Sequence, residues 1–387
     1  GGLESRSDCS MDMVLSWHHR GLLEHFGAAD KVVSADIKEG WIEAPRPHPP
    51  FVPCRVIPLN VVMQERQRPL PDGSLEAYLK PRITTDLSDG ATASVNAGVH
   101  ALDRATVLPT NRSLGSAASI IDETARRGGH RAAFYAIDLE SAYRFLPVQR
   151  ADWWQQCVLW ATADGSAGIA VDTRLCFGGA YAPNRFERVT AMMVAAIARE
   201  QHTFDVAHPP PPALARAAAE RSSDERCVAD LAYLHGYIDD YSGSTFDDAV
   251  GMPVDLPAVS LGEAASEAAG GAAVASGTRT DAHMRMAVRR LHATGFGTSE
   301  PKTQTGRAIV SLGMHMSLEH HHMSCPSSKR SSLLAELPAI AADVSSRRPV
   351  KRLRIEALTG RLVNLSQALP ELTPHLQVGY TLAHVPR

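Results

Sequence analysis

Residues 231–244 read Leu-Ala-Tyr-Leu-His-Gly-Tyr-Ile-Asp-Asp-Tyr-Ser-Gly-Ser, a strand-like run that ends in two adjacent carboxylates, Asp239 and Asp240, where a turn is expected. Outward from it, Phe134-Tyr135-Ala136-Ile137-Asp138 alternates faces as a second strand and closes on another carboxylate. Phe134, Ala136 and Asp138 share one face, while Tyr135, Ile137 and Leu139 share the other. Were the two strands neighbours, three carboxylates would converge. Such a set supplies hard oxygen ligands for two Mg2+ ions and leaves coordination sites open for phosphates and water. Taken alone, an Asp-Asp pair in a turn reads first as a solvated cap.

The chain around these strands has 387 residues, 44% hydrophobic and 21% charged, enough for two or three domain-sized units with buried cores. No run approaches the 18 or so apolar residues of a membrane-spanning helix. The opening residues are polar, lack an apolar signal core and do not begin with Met, as expected of a piece of a longer product. Lys+Arg 39 against Asp+Glu 42 leaves a net charge of -3, so any polyanion has to be met by a local patch. The six cysteines never approach CxxC spacing and read as free thiols in a reducing, intracellular setting, nucleus or cytoplasm.

Residues 12–48 open as a mixed helical stretch. Two extended runs, 54–64 and 78–87, flank Pro71-Asp72-Gly73 and predict a hairpin whose prolines, Pro58 and Pro81, favour edge positions. Helices are expected over 111–129 and from Pro183 to before His208, with a strand over 154–161. An Ala/Gly/Ser-rich segment near 251–280 reads as a flexible insertion. A short helix over 283–294, a strand over 308–314 and a helical tail broken near Pro349 and Pro370 follow. His320-His321-His322 cannot share one face of a helix or strand, so an exposed turn is expected there, not a metal site.

The order of the segments resembles the reverse transcriptase family, the polymerase region of retroelements, over roughly residues 50–325. Asp138-Leu139-Glu140-Ser141-Ala142-Tyr143 resembles its first catalytic block, and Phe177-Gly178 with Pro183 and Phe186 its FGL…AP..F block. Tyr237-Ile238-Asp239-Asp240 matches its YxDD signature; Gly295-Phe296 with Lys302, then Leu312-Gly313, match the two blocks that follow. Residues 358–374 are similar to a helix that follows the polymerase core in tyrosine-recombinase-type retroelements. The chain departs from the family at Cys176 and Gly179, where Pro and Leu are usual, and at Asn96, displaced by the inserted-looking residues 89–95.

The resemblance implies an α+β right-hand polymerase. Its expected parts are an N-terminal extension (1–50), fingers (51–130), a palm with an antiparallel sheet and an interleaved fingers segment (131–325), and a thumb or the start of a connection region (326–387). It implies RNA-directed DNA synthesis from dNTPs on a primed RNA or DNA template, with no membrane partner, and a longer polyprotein that carries any RNase H, protease or integrase domain. Asp138, Asp239 and Asp240 would bind two Mg2+ ions, with Mn2+ as a substitute, and Lys302 would be the general acid for pyrophosphate. Lys80 and Arg82 would hold the triphosphate, Tyr143 would exclude a 2′-hydroxyl, and Phe177 and Gly178 would lie behind the base. Leu312 and Gly313 would grip the primer. The basic run from Lys329 to Arg361, including Lys351, Arg352 and Arg354, would track the duplex backbone; a solvated helix face is the competing reading. A catalytically inactive, nucleic-acid-binding retroelement remnant and an RNA-dependent RNA polymerase are the alternatives.

Overall fold

The computed structural model describes residues 13–69, 75–90, 94–106, 109–161, 165, 167–222, 231–251, 256–257, 259, 277–366, 369, 372 and 376. The chain folds as a mixed α/β protein with two compact units, residues 1–107 with 141–191, and residues 108–140 with 192–387. Among the described residues no helix is long and apolar enough to cross a membrane.

The first unit holds β1 (Met13–Leu15), α1 (Arg20–Glu24), α2 (Phe26–Lys38), β2 (Ile42–Arg46), β3 (Cys54–Val56), β4 (Leu59–Pro69), β5 (Leu75–Thr85), α3 (Ala101–Arg104), α5 (Ala142–Phe145), β7 (Cys157–Ala161) and β8 (Ala167–Asp172). Five of the strands form one sheet in the order β1-β3-β7-β8-β2, and β4 pairs with β5 alone. Pro81 is tolerated because each strand of a two-stranded ribbon keeps a free edge. The turn residues Pro71-Asp72-Gly73 lie outside the described residues. Two expectations shift here. Residues 13–15 form a strand, not a helix, because they pair in parallel with residues 54–56. Residues 150–155 form a 3-10 turn, fixed by Trp153 Nε1 donating to the Val148 carbonyl at 2.9 Å, so the strand begins only at Cys157.

The second unit is built on α4 (Asn111–Arg127), β6 (Arg131–Asp138), α7 (Pro212–Ser222), β9 (Ala232–Tyr237), β10 (Asp240–Asp247) and α8 (Arg279–Ala293). Then come β11 (Gln304–Gly306), β12 (Ala308–Ser311), β13 (Met314–Ser317), β14 (His322–Ser324), α9 (Ser327–Ser345) and α10 (Arg352–Leu365). Helix α6 (Ala182–Ala207) belongs to both units. The principal sheet is antiparallel, ordered β11-β6-β10-β9. Leu114, Ala118, Ile121 and Ala125 recur at helical spacing on α4 and bury against Ala132, Phe134 and Ala136 of β6 and Phe246 of β10. On the other face, Gly243 of β10 stands opposite Tyr135, whose ring occupies the space a side chain there would need. The four-proline run after His208 ends α6 as expected, and its last proline opens α7, where a missing N–H costs nothing.

Buried ion pairs tie these layers. Asp122 of α4 is fully buried, accepts from the Ala132 amide at 2.9 Å and pairs with Arg307 and Arg126, both at 2.8 Å. Arg279, also fully buried, reaches Asp248 at 2.8 Å and the His208 carbonyl at 2.7 Å, and stacks 4.4 Å from the Phe246 ring centroid. Its amide bonds Asp248, and Val250 bonds Gly277, so residues 248–250 and 277–279 close on one another. The segment expected as a flexible insertion lies between them, largely outside the described residues. Removing one partner of such a pair strands the other charge. Arg279→Met is expected to lower stability by about 3–5 kcal/mol in urea unfolding; a loss below about 1 kcal/mol would give this contact the weight of a surface pair.

Candidate functional site

Sheet register assembles the carboxylates of the second unit. Asp138, the last residue of β6, pairs directly with Asp240, the first of β10, so their side chains leave the same face. Ile238 and Asp239 form the two-residue link between β9 and β10. Ile238 takes φ +55°, a left-handed conformation unfavourable for a β-branched residue, and so stores strain in this turn. The Asp239 carbonyl accepts from the Leu139 amide at 2.9 Å, and the Asp138 carbonyl accepts from Ser299 at 2.8 Å. That second bond carries the loop before the 3-10 turn Glu300–Lys302 up to the sheet end, where Lys302 Nζ donates to Asp138 Oδ2 at 2.7 Å.

Charge crowding shows in the titration of Asp240. Burial, then the neighbouring Asp239 and Asp138 carboxylates, push its carboxyl up to about 7, against the opposing pull of Lys302. A hydrogen bond with Asp138 adds to the upward shift. Lys302 thus offsets part of the negative charge of the corner. Among the described residues, no group of three His, Cys, Asp or Glu side chains is placed to hold a metal ion, so the expected ligand set Asp138, Asp239 and Asp240 is gathered at one sheet end without forming a metal cage. One strand away, burial holds the His235 imidazole down to about 4 and neutral, a feature with no signal in its sequence neighbourhood.

The first unit holds the other expected residues. Tyr143, on α5, packs edge-on against Phe177 at 4.7 Å and Phe186 at 5.2 Å between ring centroids. Gly178 takes φ +106°, and a Cβ there would collide with the Thr85 carbonyl oxygen, so only glycine fits. Arg82 and Lys80 lie on β5; Arg82 Nε is buried with no hydrogen-bond partner among the described residues, and Lys80 is exposed. The displaced Asn96 nevertheless reaches the same loop. Its amide donates to the Gly178 carbonyl at 2.9 Å and to Ser88 Oγ at 2.8 Å, and its Oδ1 accepts from Ala180 at 2.7 Å. The loop borders a polar cleft of about 640 Å3 lined by His19, Asn60, Thr85, Asp86 and Gly178, in which His19 pairs with Asp86 at 3.0 Å.

Leu312 and Gly313, both at positive φ, turn β12 into β13, and the Gly313 carbonyl accepts from Lys329 at 3.1 Å. His320 and His321 lie in an exposed turn that His322 leaves as β14 begins. Much of the basic run is internally compensated: Arg352 pairs with Glu356 at 2.7 Å, Arg354 with Asp343 at 3.2 Å, and Arg361 with Glu336. Lys329, Arg330, Arg347 and Lys351 are exposed. Sequence spacing marks charge but not its local partners.

No protein-family model and no curated protein matches the chain. Among solved structures it is similar to a foamy viral protease-reverse transcriptase dRH in complex with double-stranded DNA, at 13% identity and TM-score 0.48, over 100% of this chain and 52% of that one. The foamy viral enzyme with an RNA/DNA hybrid gives 14% identity and TM-score 0.47, over 97% of this chain and 36% of that one. The complex with dsDNA gives 16% and 0.44, over 97% and 60%. The chain therefore spans less than two thirds of each of these structures.

The Asp240 shift has a thermodynamic sign. Its folded value, about 7, lies above the ordinary carboxyl value, so between roughly pH 4 and 7 the folded state binds the extra proton. Stability should fall as pH rises through that window and level off above it. In chelator, Asp240→Asn should stabilise the protein by on the order of 2 kcal/mol near pH 8 and by almost nothing near pH 4, read from urea midpoints. The same gain at both ends would show that Asp240 is not the group being titrated.

Proposed function

We propose that the chain is a nucleic-acid-binding relative of the reverse transcriptases, a right-hand polymerase architecture whose carboxylate corner is held in a catalytically silent arrangement. The order of the sequence blocks supports the family. One observation carries the silent state: Lys302 Nζ sits 2.7 Å from Asp138 Oδ2, an oxygen that a metal ion would need. Nucleic acid would be met by the exposed cations Lys329, Arg330, Arg347 and Lys351, with Arg352 and Arg354 largely engaged by acidic neighbours. Because phosphate contacts release counterions, affinity for a primed duplex should fall steeply with salt.

A second reading, templated addition of deoxynucleotides to a primer, is favoured by the clustered negative charge that raises Asp240. Asp138, Asp239 and Asp240 would hold two Mg2+ ions, or Mn2+. Bound metal would polarise the phosphate oxygens and lower the pKa of the primer hydroxyl. Lys302, freed from Asp138, would donate a proton to pyrophosphate. Arg82 would offer its guanidinium to a triphosphate, with Lys80 two residues before it in the same strand. Tyr143 would crowd a 2′-hydroxyl, Phe177 and Gly178 would back the base, and the Leu312-Gly313 turn would support the primer.

Duplex binding and primer extension, run on RNA and DNA templates with Mg2+ or Mn2+, separate the two. The silent reading expects salt-dependent binding and no extension with either metal. Extension that disappears in Asp239→Asn replaces it with the second reading. Replacing Lys351, Arg352 and Arg354 with Ala should flatten the slope of log affinity against log salt by about one unit instead of three, since two of the three are already paired. An unchanged slope would return this helix to the status of a solvated face.

A further inference from the structure

The four-residue helix Ala142–Phe145 is too short to hold its own shape, and it starts from Ser141 at φ +49°, a strained position for a residue with a side chain. Something outside it must fix Tyr143. The next residue does so: Arg144 extends both its ends into carboxylates, Nη1 to the two oxygens of Asp172 at 2.9 and 2.7 Å and Nη2 to Asp36 at 2.8 Å. Its guanidinium also lies 5.7 Å from the Trp41 ring centroid. The Arg144 side chain is only 12% exposed and Asp172 11%, so the pair is weakly screened.

Asp172 serves a second neighbour. The buried Cys176 thiol donates to Asp172 Oδ2 at 3.4 Å, and the Arg174 amide donates to Oδ1 at 3.0 Å. Cys176 immediately precedes Phe177. Between these anchors, Val148 bonds the Thr173 carbonyl and Leu175 bonds Leu146, both at 2.9 Å, lacing the exit of the short helix to the approach of Phe177. A single carboxylate thus fixes the residue after Tyr143 and the residue before Phe177, the two rings that meet at 4.7 Å. The unusual Cys176 fits this role, because a proline at that position would carry no side-chain donor for Asp172.

We infer that Asp172 is a positioning residue that sets the Tyr143–Phe177 wall through Arg144 and Cys176, and with it the preference of the bound nucleotide for a deoxyribose sugar. The inference rests on the second reading's assignment of Tyr143 to the nucleotide sugar and needs nucleotide binding but no catalysis. Moving the ring by a fraction of an ångström opens or closes the volume of one hydroxyl, which binding reads directly.

The test measures dCTP and CTP affinity for the full chain on a template–primer whose 3′ end lacks a hydroxyl, so that binding is read without chemistry. Wild type should favour dCTP at least about tenfold, a gap of about 1.4 kcal/mol. Asp172→Asn, which keeps the shape but loses the charge, should cut that ratio at least about fivefold. Arg144→Lys, which keeps the charge but loses the fork, should give a smaller cut. Combining Asp172→Asn with Tyr143→Ala should add nothing beyond Tyr143→Ala alone, because both act on one wall. Leu22→Ala, a buried truncation on α1 of the same unit, should lower thermal stability and leave the ratio intact. A wild-type ratio preserved in Asp172→Asn, or one lost equally in Leu22→Ala, overturns the inference. A wild type with no sugar preference overturns instead the assignment of Tyr143 on which it rests.

Discussion

Cross-strand pairing of Asp138 with Asp240 is the constraint around which the second unit is organised. Antiparallel register sets the two carboxylates on one face of the sheet, and the two-residue link through Ile238 adds Asp239 beside them. A one-residue slip would carry Asp138 to the face of Tyr135 and Ile137 and disperse the cluster. Several independent contacts resist such a slip: the buried Asp122 fixes α4 to the start of β6, Gly243 makes room for Tyr135, and the Phe134 row fills the core above α4. The register brings together negative charges that repel, so the arrangement persists only with compensation. Lys302 supplies part of it here, and the upward shift of the Asp240 carboxyl marks the crowding that remains.

That compensation defines what the corner can do. Any cation brought to Asp138 would compete with the Lys302 ammonium for the same carboxylate oxygen. The strained Ile238 fits a turn whose geometry is dictated by what it presents and not by local preference.

The first unit solves a different problem, holding the buried Tyr143 ring against the exposed Phe177 ring without a long element beneath them. Phe177 is 39% exposed and Tyr143 sits on a single helical turn. Asn96 ties down the glycine loop after Phe177 with two hydrogen bonds and anchors it to Ser88 with a third, and Asp172 ties down the approach to both rings. Each replaces the rigidity that a strand or a proline would otherwise supply. The basic run of the second unit follows a similar economy: Glu336, Asp343 and Glu356 hold arginines in helix-to-helix or within-helix pairs, leaving fewer cations for a polyanion than the composition of that segment suggests.

Local chemistry made the strand ending in Asp138, the turn at Asp239, the α4 helix and the long helix from Pro183 legible in the sequence, because face alternation, helical spacing and turn residues are properties of a few consecutive positions. The positions of the candidate carboxylates at a strand end and a turn were legible for the same reason. The strand at residues 13–15 was not, since a three-residue strand exists only through its partner at 54–56. Nor were the Lys302–Asp138 contact, across 164 positions, the Asp172 link between Arg144 and Cys176, or the neutralisation of Arg352 and Arg354. Sequence determined which groups could ionise, turn or pair; the tertiary structure decided which charges meet, because side-chain electrostatics act through space over a few ångströms and do not depend on distance along the chain.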